Sequence, residues 1–231
     1  MKGLLTKISN SALDLLFPMQ CLGCRAEGKL LCAACTGGLA RLEPPFCGLC
    51  AQPGIAPRCR WCRSHPPAVA GIRAPFLMSG PIREGVHLLK YQGVRAAAPE
   101  MARLLAQYLA AHPMPADLIL PVPLHPRRLR ARGYNQSALL ARELAKLSGL
   151  PLHERMLART RDTPPQVEAP SREERRANVD GGFEATADAA GRAVILVDDV
   201  ATTGSTLSAC AAALKAAGAA SVWGLVLARE G

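Results

Sequence analysis

Val194-Ile195-Leu196-Val197-Asp198-Asp199-Val200-Ala201-Thr202-Thr203-Gly204-Ser205-Thr206 joins four branched apolar residues, two adjacent acids and a hydroxyl-rich turn in one run. The apolar block has the length and branching of a strand buried on both faces, as in a parallel sheet. The carboxylates of Asp198 and Asp199 follow at its carboxyl end. Beyond them, Ala201, Thr202, Thr203, Gly204, Ser205 and Thr206 lead into a helical pattern over 207–217. Backbone N–H groups, hydroxyls and a helix N-terminus then converge on one point, a cradle for a phosphate. The acids repel a phosphate but accept hydrogen bonds from sugar hydroxyls. A phosphate and a vicinal diol one pentose apart describe a ribose 5-phosphate. A capped strand–turn–helix is the plainer reading, yet a cap needs one such side chain and not the whole set. A triphosphate loop of the usual form is excluded, because no Gly-Lys-Ser/Thr is present.

Outward from this run, strands and helices alternate. The pattern predicts a strand over 72–78, helices over 82–91 and 96–111, and a strand over 117–122. A helix follows over 134–148, with Asn135 near its start and Gly149 past its end. The strand over 193–197, the helix to 217 and a last strand over 221–228 complete the order. Such alternation implies an α/β fold, a parallel sheet with helices on both faces. Ligands of these sheets bind beyond the carboxyl ends of the strands, where the acidic pair sits.

Of the 231 residues, 49% are hydrophobic, enough for a sizeable core, but only 4% are aromatic, so Leu, Val and Ala must build it. The formal net charge is +10, and residues 1–70 carry 8 Lys/Arg against 3 Asp/Glu. A basic surface favours polyanions such as nucleic acid, nucleotides or anionic lipid, and is also compatible with plain solubility. No apolar run reaches the roughly 18 residues of a membrane span. Leu4, Leu5, Ile8, Ala12, Leu15 and Leu16 recur at helical spacing, so 1–18 is expected to be an amphipathic surface helix and not a secretory signal. A cytoplasmic protein without integral membrane association is expected.

Nine cysteines are present, eight of them in four Cys-x-x-Cys pairs: Cys21/Cys24, Cys32/Cys35, Cys47/Cys50 and Cys59/Cys62. Two such knuckles fill the tetrahedral shell of one structural Zn²⁺, so four imply two sites with no catalytic vacancy. Short gaps favour the first pair with the second and the third with the fourth, although an interlaced pairing is open. Residues 19–67 thus form a zinc-binding module too small for an apolar core of its own, and 70–231 the α/β domain. Cys210 stands alone in the helix after the hydroxyl-rich turn and is expected to pack in the core.

A second chemical cluster follows the strand ending at Val122: Pro123-Leu124-His125-Pro126-Arg127-Arg128-Leu129-Arg130-Ala131-Arg132-Gly133-Tyr134-Asn135-Gln136. It reads as a proline-stiffened loop dense in arginine, able to grip a pyrophosphate or nucleic-acid phosphates, or to lie as a basic external loop. Arg172, Arg175 and Arg176, interleaved with Glu173 and Glu174, fit a solvated ion-paired helix as well as a ligand loop.

The opening run resembles the phosphoribosyl pyrophosphate (PRPP) signature of type I phosphoribosyltransferases. That resemblance implies that Asp198 and Asp199 meet the ribose hydroxyls and that 201–206 wrap the 5-phosphate. The run Pro121-Val122-Pro123-Leu124-His125-Pro126, the following Arg-Arg-Leu-Arg-Ala-Arg-Gly-Tyr-Asn-Gln, Lys90-Tyr91-Gln92-Gly93 and Thr163-Pro164-Pro165-Gln166 together resemble the ComF family, also known as ComFC or the GntX-like group. The resemblance runs from Phe17 onward. It implies a type I phosphoribosyltransferase fold behind an N-terminal zinc finger, binding of PRPP with Mg²⁺, and a link to DNA uptake in natural transformation. Single-stranded DNA, a competence helicase and a recombination mediator are the partners it implies. It assigns pyrophosphate contacts to Lys90, Pro123, Leu124, Arg127, Arg128, Arg132 and Gly133, and a flap to Gln166, Arg172 and Asn178. A transferase also needs a hood over its acceptor, and no aromatic cluster to stack a base is visible. Two functions therefore stand: a ribose-phosphate-binding protein that handles DNA, and an active transferase with an unidentified nucleobase or amine acceptor.

Overall fold

The computed structural model describes residues 19–162 and 171–231, Arg175 by its backbone alone. The helix expected over 1–18 and the flap residue Gln166 lie outside the described residues.

Two Cys-rich ribbons come first, each ending in one helical turn, α1 (Ala33–Gly37) and α2 (Arg60–Ser64). Then follow β1 (Gly71–Arg73), β2 (Phe76–Leu77), α3 (Gly80–Tyr91), α4 (Ala97–Ala111), β3 (Leu118–Pro121), α5 (Pro126–Arg132) and α6 (Gln136–Ser148). The chain continues through β4 (Leu157–Arg159), α7 (Arg172–Ala177), β5 (Phe183–Ala185), β6 (Ala193–Ala201), α8 (Ser205–Ala216) and β7 (Ser221–Arg229). The order β1-β7-β6-β3 forms a parallel sheet, with β2 pairing β7 further along the same edge as β1. β4 and β5 form a separate antiparallel pair.

Alternation along β6 sorts the core into two layers, since successive strand residues face opposite sides. Ile195 and Val197 pack with Val86, Leu89, Met101, Leu105, Leu140 and Leu144 of α3, α4 and α6. Val194 and Leu196 pack with Leu207, Cys210 and Leu214 of α8. Cys210 is fully buried there, as expected.

Most boundaries fall within two residues of the sequence reading, and three features depart further. The strand expected over 72–78 is two short strands, broken around Pro75, a residue with no N–H for the ladder. β6 continues to Ala201, because Val200 and Ala201 keep pairing with Ala228 and Arg229. The arginine-rich loop is largely helical: His125 caps α5 with Nδ1 toward the Arg127 N–H, Pro126 occupies its first turn, and Gly133 closes it at φ 78°.

The second ribbon is docked on the β1 edge. The Ile72 N–H donates to the Leu49 carbonyl at 2.9 Å and Arg73 donates to the Gly48 carbonyl at 2.9 Å. Gly71 permits this approach, since a Cβ there would lie 2.7 Å from Trp223 Cζ3 and 2.9 Å from the Gly48 oxygen. Gly71→Ala is expected to destabilise the fold by about 1–3 kcal/mol through overpacking. Urea unfolding checks this, and an unchanged midpoint contradicts the tight seam.

Candidate functional site

The carboxyl ends of β3, β6 and β7 share one edge of the sheet, and the acidic pair lies on it. Because neighbours on a strand diverge, the two carboxylates meet different partners. Asp199 is 2% exposed, and its Oδ1 lies 2.9 Å from Lys90 Nζ. Its Oδ2 is buried and has no hydrogen-bond partner among the described residues. Lys90 comes from the last turn of α3, where a cation also suits the helix dipole. Burial works against the lysine charge, but Asp199 and Asp198 outweigh it and raise its pKa above the ordinary value. Asp198 Oδ1 accepts from Ser137 Oγ at 2.7 Å and from the Asp199 N–H at 2.9 Å. Burial and the Asp199 charge push Asp198 up from 3.8 to about 7, against the pull of Lys90 and Ser137.

The turn that follows is closed and polar. Thr203 Oγ1 and Ser205 Oγ are 2.7 Å apart, and the Ser205 N–H points to Thr203 Oγ1 at 3.3 Å. Gly204 sits at φ 80° ahead of α8, and a Cβ there would meet Ile72 Cδ1 at 2.7 Å. Left-handed backbone and lack of space both demand glycine. The elements expected of a phosphate cradle, a hydroxyl turn and a helix start, are therefore together beside the acids.

The remaining expected residues divide. Lys90 is brought onto the acidic pair. Asn135 caps α6 by accepting from the Ser137 N–H at 3.0 Å, and its side chain donates to the Val122 carbonyl at 2.9 Å. This joins Ser137 to the end of β3. Pro123, Leu124 and Gly133 line a separate cavity with Arg95 and Tyr134. Arg127 points to Asp162 Oδ2 at 3.4 Å, and Arg132 donates to Gln136. Arg128 is close enough to Arg159 to lower the pKa of that guanidinium, to which burial contributes most. Of the flap residues, Arg172 donates to Gln52 Oε1 of the second ribbon at 2.7 Å, and Asn178 ends α7.

Sequence reasoning missed Ser137, Arg159 and Arg229. Ser137, three residues past Tyr134 at a helix start, carried a faint signal. Arg159 sits on β4 with its guanidinium 5.4 Å from the centroid of the Phe183 ring, within the field of Asp198, and no motif in its own stretch of sequence marks it. Arg229 is 1% exposed. Its guanidinium donates to the Cys50 carbonyl at 2.9 Å, the Ala201 carbonyl at 3.0 Å and Gln52 Oε1 at 2.8 Å, and also to the Glu230 carbonyl. It ties the second ribbon to Ala201, the residue that opens the hydroxyl-rich turn.

The eight paired cysteines form two clusters, Cys21/Cys24/Cys32/Cys35 and Cys47/Cys50/Cys59/Cys62, with all sulfurs of each within 4.8 Å of one another. Sequential pairing is therefore the one adopted. The Cys32 and Cys59 N–H groups point to the sulfurs of Cys21 and Cys47 at 3.4 Å, and those of Cys35 and Cys62 to Cys32 and Cys59 at 3.5 and 3.4 Å. The Cys24 and Cys32 N–H groups help bring the Cys21 thiol down to about 6, towards the thiolate that binds metal. Four sulfur donors with N–H support fit structural Zn²⁺ and leave no open position for catalysis. No described helix is long and apolar enough to cross a membrane.

Residues 132–231 match the phosphoribosyl transferase domain family, and residues 12–64 the double zinc ribbon domain family. DNA utilization protein YhgH of Salmonella typhi is 32% identical over 217 residues, 89% of this chain and 94% of that protein. Competence protein F of Haemophilus influenzae is 30% identical over 227 residues, 90% of this chain and 97% of that protein. Among solved structures, the Bacillus subtilis glutamine PRPP amidotransferase complexed with ADP and GMP overlays at a TM-score of 0.40 with 25% identity, covering 58% of this chain and 26% of that one.

Two outcomes follow from this geometry. Arg229→Met takes the donor from the buried Cys50 carbonyl and one donor each from Ala201 and Gln52, and is expected to cost about 2–4 kcal/mol in urea unfolding; a loss below about 0.5 kcal/mol contradicts the tie. Asp198 has a raised pKa, so the folded state keeps a proton that the unfolded chain releases between about pH 4 and pH 7. Its contribution to stability is therefore lost as pH rises through that window. Relative to Asp198→Asn, the wild type should lose unfolding free energy from pH 5 to pH 7.5, and a pH-independent difference contradicts the assignment.

Proposed function

The chain belongs to the ComF family, with DNA utilization and competence proteins among its relatives, and on that premise we propose that its phosphoribosyltransferase fold binds PRPP or ribose 5-phosphate with Mg²⁺ in a protein that handles incoming single-stranded DNA. The observation that carries the ligand reading is the unpartnered, buried Asp199 Oδ2 beside Lys90, one turn from the phosphate cradle. A buried carboxylate oxygen without a donor is costly and needs one. A ribose hydroxyl supplies a donor of the right kind. Lys90, now on Asp199, must shift to admit it, and its cation then lies next to the phosphates of the ligand.

Asp198 and Asp199 hold the sugar ring in this reading, and 201–206 hold the 5-phosphate. Arg127, Arg128 and Arg132, with Lys90, supply positive charge toward the pyrophosphate. Mg²⁺ keeps mostly water and substrate oxygens as ligands, so it would enter with PRPP, bound by at most one or two of these carboxylates, and neutralise pyrophosphate charge. The DNA half of the reading draws on the relatives and on the +10 charge. The side chain of Arg127 is 73% exposed beside Asp162 and Arg130 is exposed, so both lie at the surface a phosphate backbone would approach. A competence helicase and a recombination mediator are the protein partners this reading carries.

Calorimetry with PRPP and Mg²⁺ is expected to show saturable binding, weakened about tenfold in Asp198→Asn, where a charged acceptor becomes a neutral one. No heat from the wild type, or equal affinity in the variant, overturns the ligand reading. Fluorescence anisotropy with a single-stranded oligonucleotide should show affinity falling steeply with salt. Arg127→Ala and Arg130→Ala should each reduce the slope by about one. Binding indifferent to salt overturns the DNA reading.

A further inference from the structure

The phosphate turn has a second side. A cavity of about 210 Å³ opens against it, and its walls include Thr203, Gly204 and Ser205 but neither Asp198 nor Asp199. Its opposite wall is the second ribbon, through Trp61 and His65. Their rings are stacked, with centroids 4.2 Å apart and planes at 21°. Arg176 and Asp180 add one cation and one carboxylate to the rim. A ribose 5-phosphate occupies the acidic side and ends at its phosphate, so it leaves this compartment unused. A ligand that fills both must continue through that phosphate into an aromatic group. A phosphodiester does so.

We propose that the site seats the 3′-terminal dinucleotide of a single strand of DNA. The phosphate turn holds the last phosphodiester, the acidic pair receives the terminal 3′-hydroxyl, and the Trp61–His65 pocket takes the penultimate base. The inference rests on the phosphate reading of residues 201–206 proposed above. Charge selects the end of the strand: the carboxylates accept a hydroxyl and repel a further phosphate, so an internal nucleotide fits poorly. Stacking selects a base without selecting its identity, because every base has a π-face. Arg176 is placed to meet the backbone or a base edge. The second ribbon thereby supplies a wall beyond the phosphate, assembled from a metal-held turn instead of an apolar lobe.

The experiment compares three probes by calorimetry: ribose 5-phosphate, the thymidine dinucleotide dTpdT, and dTpdT bearing a 3′-phosphate. Wild type is expected to bind dTpdT at least tenfold more tightly than its 3′-phosphorylated form. Trp61→Leu should weaken dTpdT about tenfold and leave ribose 5-phosphate unchanged, and Trp61→Phe should restore most of the loss. Ala212 lines the cavity from the exposed side of α8 and is not a metal-ligand candidate. Ala212→Phe should therefore block dTpdT selectively even if Trp61 variants lose metal. Failure of the wild type to bind ribose 5-phosphate sinks the underlying phosphate reading. Ribose 5-phosphate binding with dTpdT indifferent to Ala212→Phe, or with no penalty for the 3′-phosphate, sinks this inference alone.

Discussion

One buried cation holds the functional edge of this protein together. Arg229, at the end of the central strand β7, has no carboxylate among its hydrogen-bond partners; its guanidinium is satisfied by carbonyls and an amide oxygen. Those acceptors join two segments far apart in sequence, the second ribbon through Cys50 and Gln52 and the end of β6 through Ala201. Gln52 Oε1 also accepts from Arg172, so α7 is drawn into the same cluster. Without the arginine the buried Cys50 carbonyl would lose its donor, while Ala201 would keep only the Glu230 N–H and Gln52 only Arg172. The positions of the second ribbon, the start of the hydroxyl-rich turn and the end of β7 are in this way mutually determined.

The two Cys₄ clusters explain how so small a module can serve as a wall. Residues 19–67 bury few large apolar side chains, and the second cluster's own packing partners are chiefly Leu49 and Trp61. Metal ligation replaces the missing core. The rigid turn that results presents Trp61 and His65 toward α8, and the seam at Gly71 and Gly48 keeps that turn against the sheet. Structure at the metal and chemistry at the acidic pair are thus linked through contacts and not through any shared ligand.

Much of this was legible in the sequence, for identifiable reasons. Val194 to Asp199 read as strand and acids because burial on both faces leaves a continuous apolar run and function leaves the charge at its end. Cys-x-x-Cys spacing is local, so the clusters and their sequential pairing could be read from short gaps. The arginine-rich segment misled because its prolines read as loop stiffeners, whereas Pro126 at a first helical turn and Gly133 at the last favour a helix. β4 and β5 are three residues each and carry no period to detect. Arg159, Ser137 and Arg229 draw their roles from Phe183, Asp198 and Cys50, which lie 24, 61 and 179 residues away and which no local pattern encodes.

The central claim is that β6 delivers two carboxylates and a hydroxyl turn to the two ends of one pentose phosphate. A crystal structure of the protein soaked with PRPP and Mg²⁺ tests it most directly. The account predicts density for the 5-phosphate inside 202–206, ribose hydroxyls on Asp198 and Asp199, and Lys90 displaced from Asp199 toward the pyrophosphate. An empty turn at saturating PRPP, with Lys90 still paired to Asp199, would contradict it.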